Sequence, residues 1–197
     1  LTQQVDFTIS ADGWSQGATH EFSPNFDFRP ASGPVDVLVI HNISLPPRQF
    51  GGPYITDLFL NRLDCDAHPY FDQLRTLHVS AHFLIRRDGH VVQFVSTENR
   101  AWHAGVSEFE GRMRCNDFTI GIEMEGSDFD PFEDAQYSAL AQLTQALRQR
   151  YALKHIVGHE DIAPVRKTDP GPYFEWERYQ RSLADMHTDV QFPFLKA

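Results

Sequence analysis

Apolar residues fall along the chain in runs whose spacing changes from segment to segment, and each spacing predicts a different element. "VDVLVIHNI", Val35 to Ile43, is an apolar, β-branched run of strand length, dense enough to be buried on both faces. "FTIGIEMEG", Phe118 to Gly126, alternates instead. Ile120, Ile122 and Met124 fall on one face, and Thr119, Gly121, Glu123 and Glu125 on the other. "SAHFLIRRDGHVVQFV", Ser80 to Val95, reads as two strands about a central Asp88-Gly89, a strong hairpin signal. Helical spacing runs from about Asp130 to Tyr151, with Tyr137, Leu140, Ala141, Thr144, Leu147 and Tyr151 forming the stripe. Asp130 is read as its N-cap, Pro131 suits the first helical position, and Glu133 completes a capping-box pattern. "YITDLFLNRL" predicts a short helix, "HIVGH" a short strand, and "YFEWERYQRSLADM" a closing helix.

Strands interleaved with helices predict an α/β fold, with a central mixed β-sheet flanked by helices; the sheet is mixed because the hairpin is antiparallel. At 197 residues the chain suits one sizeable core, so a single domain over 1–197 is expected. Residues 1–34 are polar and aperiodic and are read as an N-terminal arm packed on that domain.

Composition narrows the partners. Asp and Glu number 27 against 17 Lys and Arg, a formal net charge of -10. The long-range field of such a chain repels nucleic acid and anionic membrane surfaces, so neither is expected as a partner. Arg86-Arg87, Arg112 with Arg114, and Arg166-Lys167 remain as local positive clusters. Cys65 and Cys115 lie far apart with no C-x-x-C spacing, which argues against a thiolate metal site and for reduced thiols. No run has the length of a membrane span, and the first thirty residues show no basic start followed by an apolar stretch. A cytoplasmic, monomeric protein is the expectation.

The chemistry concentrates where strands give way to loops. His41 follows "VLVI", His159 follows "HIVG", and Asp169 lies ten positions further on, in a segment broken by Pro and Gly. Two imidazoles and one carboxylate are the ligand types of a catalytic zinc that keeps a position for water or substrate. On spacing alone His82 and His103 compete for the same role. Glu123, on the polar face of its strand, suits a proton acceptor beside such a metal. Lys167 rides on the loop of Asp169 and could supply a positive charge to a developing oxyanion.

"VIHNISLPP", "HPYF", "VSAHFLIRRDG", "RAWHAGVS", "RCNDFTIGIEMEG", "VGHEDIAPVRKTDPG" and the F-x-W of Phe174 to Trp176 stand in the order and at the spacings of one family. From about Gly13 to Trp176 the chain resembles the AmpD-type 1,6-anhydro-N-acetylmuramyl-L-alanine amidases, zinc enzymes related to peptidoglycan recognition proteins. The resemblance implies one zinc held by His41, His159 and Asp169, with Glu123 as general base and Lys167 stabilising the transition state. It also implies a substrate cleft lined by Asn42, Trp102 and Arg114, with Arg112 a further candidate near the substrate's carboxylates. The reaction implied is hydrolysis of the amide between the lactyl group of (1,6-anhydro)-N-acetylmuramic acid and L-alanine of the stem peptide, on small soluble muropeptides during cell-wall recycling. The alternatives are a periplasmic amidase acting on intact wall, and a binding module that does not cut. One position departs from the pattern: relatives often carry arginine before "VSAH", where this chain has His78.

Overall fold

The computed structural model describes residues 6–184 and 189–195. A six-stranded sheet forms the centre. Its strands are β1 (Thr19–His20), β2 (Val37–Ile43), β3 (Phe83–Ile85), β4 (Val91–Gln93), β5 (Thr119–Glu125) and β6 (His155–Gly158), in the spatial order β6-β2-β5-β3-β4-β1. The four strands β6, β2, β5 and β3 run parallel, while β4 returns antiparallel to β3. The fold is therefore α/β with a mixed sheet, and the Asp88-Gly89 turn is what makes it mixed. Two departures from the sequence reading concern extent. The hairpin strands are three residues each, and Thr19–His20 adds an edge strand parallel to β4 that no alternation announces. Short ribbons pair Thr8–Ile9 with Ser15–Gln16, Phe26–Phe28 with Asn99–Ala101, and Glu108–Phe109 with Arg112–Met113.

Helices α1 (Tyr54–Phe59), α2 (Asp134–Arg150), α3 (His159–Ile162) and α4 (Trp176–Ser182) complete the layers. The stripe of α2 lies on one sheet face, where Tyr137, Leu140 and Leu147, with Leu143 from outside the predicted stripe, join Leu38, Ile40, Ile120 and Ile122 in one buried cluster. Each fully buried aliphatic side chain there contributes about 1.5–3 kcal/mol from removal of apolar area from water. Ile55, Leu58 and Phe59 of α1 pack with Leu84 and Val92 in a second cluster.

Helix α2 begins three residues later than its sequence signals suggest. Glu133 is the N-cap residue and its N–H donates to Gln136 Oε1 at 3.0 Å. Asp130 cannot cap because its carboxylate is already engaged, by Ser127 Oγ at 2.6 Å and by Arg48 Nε at 2.9 Å. At the other end Tyr151 is extended and closes the helix. The closing helix is likewise shorter than predicted, and its predicted Asp185 and Met186 lie outside the described residues.

Pairing in the sheet decides what faces what. In the parallel register Thr119 stands beside Val37, Gly121 beside Val39 and Glu123 beside His41. Neighbours in register project to the same face, so the polar face of β5 and His41 share the face opposite α2.

Candidate metal centre

Strands β6, β2 and β5 bring their carboxyl ends to one edge of the sheet, the place where open α/β sheets present ligand sites. His41 leaves β2 there, His159 opens α3 immediately after β6, and Glu123 lies on β5. Burial is near complete, with relative exposures of 1% for His41, 3% for His159 and 8% for Glu123. Asp169 arrives on the loop after α3, whose path is set by the Glu160 N–H donating to the Asp169 carbonyl at 2.9 Å.

Three atoms converge. His41 Nδ1 is 3.0 Å from His159 Nδ1 and 3.0 Å from Asp169 Oδ2, and His159 Nδ1 is 3.2 Å from the same oxygen. The opposite nitrogen of His159, Nε2, faces the Ala104 carbonyl oxygen at 2.9 Å and so must carry the proton. A neutral His159 ring then presents a lone pair at Nδ1, directed at a carboxylate oxygen. Two acceptors held that close repel each other unless a cation, or a proton shared from His41 Nδ1, lies between them. His41, His159 and Asp169 form a group able to hold a metal ion, and among the described residues it is the only group of this kind found. Burial, followed by the neighbouring His159, lowers His41 to about 4, so its ring is a neutral ligand at ordinary pH. Burial pushes Asp169 up, but the close approach of the His159 and His41 rings outweighs it and holds the carboxyl well below its usual range.

Beside this group stands a carboxylate with one oxygen that has no hydrogen-bond partner among the described residues. Glu123 Oε1 is 4.0 Å from His41 Nδ1, and Oε2 is buried without a hydrogen bond among the described residues. Burial, reinforced by the charge of Asp169 and opposed by that of Lys167, raises Glu123 well above its ordinary value. The Lys167 charge is felt at His41 as well.

The loop that carries Lys167 and Asp169 is pinned from both sides. Asn42 Nδ2 donates to Asp128 Oδ1 at 2.7 Å and to the Pro170 carbonyl at 3.0 Å, while the Thr168 hydroxyl donates to Asp128. Gly171 has a φ of +84°, and a Cβ there would meet Asp128 Oδ1 at 2.5 Å, so only glycine lets the loop lie this close. Arg166 Nη2 donates to the carbonyls of Ala104 and Val106 at 2.7 and 2.9 Å. That fastens the other end.

The remaining predicted positions separate. Trp102 is half-buried and its indole N–H has no partner among the described residues. Arg114 is exposed and only loosely paired, its Nε 3.6 Å from Asp117 Oδ2. Arg112 stands far from the centre: it binds Asp36 at 3.0 Å and lies over the Phe118 ring, at the amino end of β2, whereas His41 is near the carboxyl end. The buried Asp36 carboxylate holds it there, which removes it from the group near the cleft. Arg86 and Arg87 are likewise committed, to Glu125 and Glu133. His78 is exposed, with Nδ1 3.2 Å from Asn61 Oδ1.

The two competing histidines are both buried, and neither joins the ligand group. His82 accepts the Gly121 N–H at Nδ1 and gives its Nε2 proton to the Asn99 carbonyl, a fully satisfied ring. His103 instead contacts a ligand, its Nδ1 lying 2.9 Å from His41 Nε2. Thr119, Gly121 and Asp128 carry no chemical signal of their own in the sequence. The period-two alternation that singles out Glu123 also places Thr119 and Gly121 on its face, and that was the available clue.

Known proteins share this arrangement of chain. Residues 31–172 match the family model described as N-acetylmuramoyl-L-alanine amidase. The 1,6-anhydro-N-acetylmuramyl-L-alanine amidase AmpD of Enterobacter cloacae is 55% identical over 174 residues, which cover 87% of this chain and 93% of that protein. A crystal structure of a selenomethionine AmpD derivative superposes with a TM-score of 0.85 at 54% identity, covering 87% of this chain and 97% of that one. The amidase AmiD of E. coli, solved with anhydro-N-acetylmuramic acid-L-Ala-D-gamma-Glu-L-Lys as substrate, matches with a TM-score of 0.56 at 29% identity, covering 90% of this chain and 65% of that one. With the family model matching well over half of its length, the chain belongs to the N-acetylmuramoyl-L-alanine amidase family.

Proposed function

We propose that this protein is a zinc-dependent amidase that cleaves the bond between the lactyl group of 1,6-anhydro-N-acetylmuramic acid and L-alanine, acting on small muropeptides in cell-wall recycling. One observation carries the reading: two ring nitrogens and a carboxylate oxygen converge within 3.0–3.2 Å, next to a buried Glu123 whose Oε2 has no hydrogen-bond partner among the described residues. The ligands of a tetrahedral zinc, at bonds of about 2.0–2.1 Å, are separated by roughly 3.3 Å. The donor set and its spacing therefore fit zinc, with one ion per chain held by His41, His159 and Asp169. The activity recorded in the name of the AmpD relative supports the choice of sugar and bond.

Bound there, zinc would supply Lewis acidity towards the scissile carbonyl and lower the pKa of a water. Glu123 takes the proton of the attacking water at its free Oε2 and passes it to the departing amine nitrogen. A carboxyl raised by burial is suited to holding that proton between the two steps. Lys167 contributes positive charge where the oxyanion develops, on a loop whose two ends are pinned. Trp102 offers its unpartnered N–H to the substrate, and the exposed Arg114 is free to meet a stem-peptide carboxylate. Asn42 holds the loop of Asp169 through Asp128 and Pro170.

Among the described residues no helix is long and apolar enough to cross a membrane. The test is incubation of the zinc-loaded protein with anhydromuropeptide and, separately, with intact sacculi, followed by mass analysis of the products. Release of free stem peptide from the anhydromuropeptide is expected. Intact muropeptide after prolonged incubation would refute the assignment.

A further inference from the structure

The group behind His41 has chemistry of its own. His41 Nε2 lies 2.9 Å from His103 Nδ1, and His103 Nε2 lies 3.0 Å from Thr119 Oγ1. All three residues are buried, and no hydrogen bond from either His103 nitrogen to a carboxylate is found among the described residues. A Cβ on Gly121 would stand 2.5 Å from His103 Cγ, so the ring is seated on a backbone position that only hydrogen can fill. Metal-ligating imidazoles need a partner on the second nitrogen to fix which one keeps its lone pair. Here that partner is another imidazole, which must in turn be told where its own proton goes.

We propose that His103 and Thr119 are positioning residues for the metal: the Thr119 hydroxyl accepts from His103 Nε2, His103 Nδ1 accepts from His41 Nε2, and His41 Nδ1 is thereby left as a lone pair facing the ion. The inference rests on the zinc reading above. The same contacts are satisfied in the opposite sense when no cation is present. His41 then donates from Nδ1 to Asp169 Oδ2 at 3.0 Å, His103 donates from Nδ1 to His41 Nε2, and the Thr119 hydroxyl turns to donate to His103 Nε2. Each ring keeps one proton in both arrangements, and only its position changes. The hydroxyl closes the series in either sense, because its oxygen can accept from the ring N–H and its own O–H can turn to donate to the ring. Zinc selects one sense of the chain.

The prediction separates from ordinary packing. Thr119→Val keeps the shape of the side chain and removes the acceptor, leaving a buried ring N–H unsatisfied in the zinc-bound arrangement. Zinc affinity, measured by competition with a chromogenic chelator, should fall by about 10- to 100-fold. Thr119→Ser should restore it. On the parent protein, nitrogen-15 spectra of the histidine rings should place the His103 proton on Nε2 with zinc and on Nδ1 without it. Equal zinc affinity in the parent and a folded Thr119→Val overturns the proposal, and so does a His103 proton on Nδ1 in the loaded protein. The parent spectra decide the matter if the valine variant does not fold. A parent that binds no zinc at all removes the metal reading itself, and this proposal with it.

Discussion

Gly121→Ala is the most informative single change, because its cost can be read from one contact. The added Cβ would lie 2.5 Å from His103 Cγ and 2.6 Å from Nδ1, roughly 0.9 Å inside ordinary van der Waals contact. The ring is buried and cannot retreat without stretching its hydrogen bonds to His41 at 2.9 Å and Thr119 at 3.0 Å. Overpacking of this kind costs about 1–3 kcal/mol, and each weakened hydrogen bond about 1 kcal/mol more. A loss of about 3–5 kcal/mol follows, a large fraction of the roughly 5–15 kcal/mol that holds a domain folded. Urea unfolding of the metal-free protein measures it, as a fall in midpoint with little change in slope. A double-mutant cycle isolates the cause. In a His103→Ala background the obstacle is gone, and Gly121→Ala should then cost less than about 0.5 kcal/mol. An equal loss in both backgrounds would refute the assignment of this glycine to the seating of His103.

Glu123→Gln should retain zinc at one ion per chain while turnover falls about 100- to 10,000-fold, the usual contribution of a positioned general base; metal analysis beside product formation checks both. The same variant bears on stability without metal. Burial raises the Glu123 carboxyl above its ordinary 4.5, so its contribution is most favourable below that value and is lost as pH rises towards the raised one. Parent stability relative to Glu123→Gln should therefore decline as pH increases above 4.5, and a pH-independent difference would contradict it. Asp169→Ala should lower zinc occupancy and activity together, measured by the same two assays. Chelation of a sample holding free zinc at 100 times its dissociation constant should remove about 2.7 kcal/mol of stability, seen as a lower thermal midpoint that readdition of zinc reverses.

Much of the fold was legible because local pattern and tertiary need coincide. Val37 to Ile40 are buried on both faces, as an unbroken apolar run requires, and the stripe of α2 does lie on the sheet. Pattern failed where a distant residue intervened. Asp130 carries every local mark of an N-cap, but Arg48 and Ser127 claim its carboxylate, and the helix starts at Asp134 instead. Arg112 is a candidate for the cleft by its closeness to Arg114 in sequence, yet Asp36 holds it at the amino end of β2, whereas His41 is near the carboxyl end. Thr19–His20 is too short to show alternation, and only the open edge of β4 makes it a strand.

By itself the sequence determined which residue types were at hand and where strands hand over to loops: two imidazoles and a carboxylate at such boundaries, and a glutamate on the polar face of a strand. It also identified the family, through motifs whose order and spacing survive as linear text. Which histidines meet was decided only by the tertiary structure. His41 and His159 come together because β2 and β6 run parallel as neighbours, while His82 and His103, equal to them in residue type, are turned to backbone and hydroxyl partners. A ligand set is a matter of distances near 3 Å between atoms more than a hundred positions apart, and sheet register, which spacing along the chain does not encode, sets those distances.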